Sequence, residues 1–81
     1  MAGRNVEETQ FEVVLRFTAG GPAVTGAWTS AAAAAVKFRF FVGLYGGHPT
    51  VTITLTASAP QWQRPRVLRT WTREHGEVVA A

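Results

Sequence analysis

A small α+β domain, with one helix laid on one face of a three- to four-stranded sheet in the order β-α-β-β, is the fold the sequence predicts. Three observations predict it. Phe11, Val13, Leu15 and Phe17 alternate with Glu12 and Arg16 across residues 11–17. An unbroken alanine run, 31–35, is followed after ten intervening residues by Gly46-Gly47. Residues 50–57 alternate threonine with Val51, Ile53, Leu55 and Ala57. The first and third patterns have the two-residue period of half-buried strands, and alanine is the best helix former.

The elements follow in order. Residues 1–10 are polar and unpatterned and are expected to be a mobile tail before a single domain over 11–81. The first strand, 11–17, ends at Gly20-Gly21-Pro22. Thr29 or Ser30 is a suitable N-cap for a helix over 30–45, with Gly46-Gly47 expected to supply the left-handed residue that ends it and Pro49 blocking its continuation. Within it, Val36-Lys37-Phe38-Arg39-Phe40 alternates like a strand, the one stretch that leaves helix and strand both open. The second strand, 50–57, carries a β-branched outer ladder of threonines. Residues 58–65, with Pro60 and Pro65, form a loop before a third strand at 66–72, and a turn at 74–76 leads to a possible short fourth strand at 77–80. A helix joining the first two strands predicts a parallel, right-handed crossover.

Composition narrows the function classes. The 81 residues include no cysteine and no aspartate, which removes disulfides, thiol catalysis, thiolate metal sites and the commonest hydrolytic carboxylate. The two histidines, His48 and His75, have no nucleophile motif beside them, and Glu74, His75 and Glu77 lack the i, i+4 spacing of a helical zinc site. Gly20-Gly21-Pro22 is not followed by the Gly-Lys-Ser/Thr of a phosphate loop, and the middle of Gly43-Leu44-Tyr45-Gly46 is apolar where backbone clamping of RNA favours a basic residue. The expectation is a non-catalytic binding protein with no metal and no cofactor. No apolar stretch approaches the roughly 20 residues of a membrane span, and a cytoplasmic protein without membrane contact is expected.

Two surfaces are candidates for binding. Seven arginines and one lysine against five glutamates give a net charge of +3, and a modest basic excess suits nucleic acid or an acidic protein. Alternation in the third strand puts Arg69, Trp71 and Arg73 on one face and Leu68 on the other. With Leu68 in the core, Arg69, Trp71, Arg73 and Arg16 would share the open face of the sheet, charges for phosphate and an aromatic for base stacking. In the opposite register Val67 and Trp71 are buried and Arg69 is drawn inward, so whether Trp71 is core or surface stays open. The second surface is on the helix. At about 100° per residue, Ala32, Ala33, Val36, Phe40, Gly43 and Leu44 form an apolar stripe in addition to the stripe through Ala34, Phe38 and Phe41. Either Trp28 or Trp62 covers that second stripe within the chain, or it serves as a protein interface, as in a homodimer, with Phe40 and Leu44 as anchors.

Overall fold

The computed structural model describes residues 9–80. The expected tail over 1–10 lies, for residues 1–8, outside the described residues, and Gln10 already belongs to the first strand. The elements are β1 (Gln10–Arg16), β2 (Ala23–Trp28), α1 (Ala31–Tyr45), β3 (Thr52–Ser58), β4 (Arg66–Thr72) and β5 (Gly76–Val79). The strands form one five-stranded antiparallel sheet in the order β2-β1-β3-β4-β5, with α1 packed on one face. The domain is α+β as expected, with five strands in place of the three or four expected.

The additional strand is β2, and it changes the topology. Its sequence, Ala-Val-Thr-Gly-Ala-Trp, has three residues of small or null side chain and no apolar alternation. It lies at the sheet edge, with only β1 as neighbour, so no second strand imposes a pattern on it. Gly20, at φ +75°, makes the left-handed step of the β1–β2 connection. There the Gly21 N–H bonds to the Thr18 carbonyl at 3.0 Å, and Arg16 Nη1 donates to the Gly21 carbonyl at 2.7 Å. Because β2 reverses the chain before the helix begins, α1 delivers β3 antiparallel to β1. The expected parallel relation between the strands at 11–17 and 50–57 is therefore replaced by an antiparallel pairing, and α1 instead joins β2 to β3, which run parallel on either side of β1.

The helix starts where expected. Ser30 is extended (φ −107°, ψ 124°) and its Oγ accepts from the Ala33 N–H at 3.1 Å, satisfying one orphan donor. The strand-like stretch 36–40 is helical, and of its three apolar side chains only Phe38 is buried. Gly46 ends the helix in the right-handed region (φ −63°, ψ −18°), not the expected left-handed one, and its N–H bonds to the Val42 carbonyl at 2.8 Å. The reason for a glycine there is space. A Cβ on Gly46 would meet the Val42 carbonyl oxygen and lie 2.8 Å from Trp71 Nε1.

Beneath the helix, Val13 of β1 lies opposite Leu55 of β3, and Leu15 opposite Ile53. These four, with Val51, Ala34 and Phe38, form the buried core. Ala34, fully buried, lets the helix axis come close to the sheet, and Phe38 fills the space beside it. Ile53→Ala or Leu15→Ala should destabilise the fold by about 3 kcal/mol through lost burial plus the cavity left behind. Arg39→Ala, on the exposed side of the helix, should stay within about 0.5 kcal/mol of the parent. Urea melts followed by circular dichroism read both; equal midpoints for all three variants would be incompatible with this core.

Candidate interaction surfaces

The register of β4 on β3 decides where the expected binding residues go. Trp71 lies opposite Ile53, and Arg69 opposite Leu55, so both side chains project to the helix side of the sheet. Beyond that pair the register slips: Thr56 is opposite Val67, and Leu68 is the extra residue of a bulge. A bulge releases the chain from strict alternation. Leu68 and Trp71, three residues apart, consequently both pack against the core, while Val67 is exposed. Neither simple register anticipated from the sequence is the one adopted.

Trp71 is therefore not on the open face. Its indole is half-buried, and Nε1 donates to the Gly46 carbonyl at 3.0 Å, fastening β4 to the C-terminus of α1. Arg69 Nη1 lies 2.5 Å from Glu77 Oε2 of β5, an ion pair about one-third exposed on each side. Arg73 is exposed in the turn between β4 and β5. Arg16 alone of the four sits on the open face, opposite Thr52 and in line with Glu12 and Val14. That face also presents Thr54, Thr56 and Thr70, so its charged groups along β1, β3 and β4 are one guanidinium and one carboxylate. The anticipated basic and aromatic cluster is split between the two sides of the sheet.

The second stripe of α1 is uncovered. Val36 retains 66% of its accessible surface, Phe40 52% and Leu44 57%. Trp28 packs against the core, and Trp62 lies under the Arg66 guanidinium, 4.3 Å from the ring centroid. Around the helix, Lys37 flanks the stripe on one side and Arg39 on the other. Lys37 Nζ sits 4.9 Å from the Phe40 ring centroid, a cation–π contact. No acidic residue occurs between Glu12 and Glu74, so nothing on the helix balances these cations.

The histidines are engaged in local structure. His48 Nδ1 is 3.3 Å from the Thr50 backbone nitrogen and accepts from it, and the ring meets Phe17 edge-on at 5.2 Å between centroids. The His75 backbone N–H donates to Thr72 Oγ1 at 3.2 Å within the β4–β5 turn. Among the described residues no three His, Cys, Asp or Glu side chains come together as a metal site would require. An open depression beside β2 is lined by Gln10, Ala27, Trp28 and Thr29, none of them titratable.

The Trp71–Gly46 contact carries a stability expectation. Trp71→Phe keeps an aromatic ring but removes the indole N–H, and should cost about 1 kcal/mol. Gly46→Ala should cost more, because its Cβ cannot avoid both the Val42 carbonyl and the indole. Combining the two substitutions should cost less than their sum, since removing the pyrrole edge makes room for the Cβ. A strictly additive pair of urea midpoints would separate the two residues energetically.

No family model matches the chain, and neither a curated protein nor a solved structure matches it.

Proposed function

We propose that this chain is a non-catalytic protein-interaction domain that docks an apolar, acid-flanked helix of another protein on the outer face of α1. The observation that supports it is the line of exposed Val36, Phe40 and Leu44 between Lys37 and Arg39. Aliphatic and aromatic side chains spaced at i, i+4 and i+8 form a ridge that a second helix can meet along its length. The flanking cations select for acidic positions on the partner. They disfavour a second copy of α1 in the same place, because a two-fold contact would bring cations to both sides with no carboxylate to answer them.

The nucleic-acid alternative has less support. Arg16 and the pair Arg69 and Trp71 project from opposite sides of the sheet, and Arg69 is paired with Glu77. Phosphate binding scales with the number of cations that can reach one backbone.

The test is a chemical-shift titration with two amphipathic peptides that share a leucine stripe, one flanked by glutamates and the other by lysines. The glutamate peptide should shift Val36, Phe40 and Leu44, and Leu44→Glu should abolish the effect with the fold intact. Binding of neither peptide below about 100 μM would end this reading, as would equal binding of both. A single-stranded oligonucleotide is the third arm. Salt-dependent shifts centred on Arg16, Arg69 and Arg73 would restore the nucleic-acid reading in its place.

A further inference from the structure

The sheet has two edges, and they differ in how well they are protected. β5 is four residues long and carries Glu77. β2 is six residues long, pairs with β1 in unbroken register and has no charged residue, no proline and no bulge. In an antiparallel ladder alternate residues bond to the neighbouring strand, so half of β2 turns its N–H and C=O groups away from β1. Proteins commonly blunt such an edge with lysine, proline or a bulge. β2 has none of the three.

Its side chains also suit a flat joint. On the open face Ala23, Thr25 and Ala27 are small and exposed. On the helix side Val24 is 53% exposed, and the Trp28 indole folds back over Gly26, where a Cβ would lie 2.5 Å from the ring. Among the side chains of β2 itself only that of Trp28 is long, and it lies over Gly26 on the helix side.

We propose that β2 pairs antiparallel with β2 of a second copy about a two-fold axis, joining two five-stranded sheets into one. The argument for a second copy rests on charge. A two-fold strand joint sets like residues near like, so any ionisable group near its centre meets its own charge. A strand without ionisable groups is compatible with itself. β5 offers less, being only four residues long and carrying Glu77, which pairs with Arg69 of its own chain. The helix stripe faces away from the sheet and takes no part in this joint, so the two surfaces can be occupied together and tested separately.

Sedimentation equilibrium at concentrations on the order of 100 μM should show a dimer. Thr25 is exposed at the middle of β2, and Thr25→Lys and Thr25→Glu each place a charge beside its copy. Each variant should weaken the dimer by about fivefold, and mixing the two should restore association as a mixed pair. Circular dichroism of each variant confirms an unchanged fold. In the parent, amide exchange in β2 should slow as concentration rises, a readout that needs no substitution. A monomer throughout the range with concentration-independent exchange overturns the proposal. A dimer indifferent to Thr25→Lys but dissolved by Leu44→Glu also overturns it, and moves the second copy to the helix face. Assemblies that lengthen with concentration would mean β2-to-β5 pairing and would overturn it as well.

Discussion

Val13 against Leu55 and Leu15 against Ile53 form the hydrophobic floor on which the helix rests, and that floor exists because β1 and β3 pair antiparallel in this register. Shifting either strand by one residue would turn its whole apolar set to the solvent side. Ala34 and Phe38 close over the four residues, one admitting the helix to short range and the other filling the space left. Everything else is arranged around this contact. The edge strand β2 extends it through β1, and β4 and β5 extend it through β3.

The same register fixes the chemistry of β4. Once Ile53 and Leu55 point to the helix side, residues directly opposite must follow, and these are Trp71 and Arg69. The indole finds an acceptor at the Gly46 carbonyl, and the guanidinium finds a carboxylate on β5. A half-buried indole N–H needs such a partner, and the helix terminus has free carbonyls to provide it. The bulge at Leu68 lets one more apolar side chain join the core while Val67 is released to the open face. Two of the side chains expected to form a basic, aromatic binding face are thus engaged in contacts within the fold.

Two of the apolar surfaces that remain exposed differ in electrical character. The helix ridge is flanked by Lys37 and Arg39, whereas β2 carries no charge at all. Two-fold contacts require a surface to be compatible with itself, and contacts with a different protein require compatibility with something else. That criterion is what separates the proposed pairing of β2 with a second copy from the proposed docking of an acidic partner on the helix. No helix among the described residues is long and apolar enough to cross a membrane.

The sequence by itself determined the helix, with its cap narrowed to Thr29 or Ser30, and the strands β1, β3 and β4, because each carries a local signal: an alanine run, a capping hydroxyl, or two-residue alternation; β5 was legible only as a possible short strand after a turn. The second stripe was also legible, since an angular count around one helix needs no knowledge of its neighbours, but whether Trp28 or Trp62 covers it was not. Tertiary structure decided the rest. β2 has little apolar pattern to reveal it, being held as a strand by hydrogen bonds to β1, and without it the direction of β3 is read the wrong way round. The side on which Trp71 and Arg69 lie was undecidable from alternation, because period two is satisfied equally by either register and is broken here by a bulge. Only the pairing with Ile53 and Leu55, strands brought together across the fold, chooses between them.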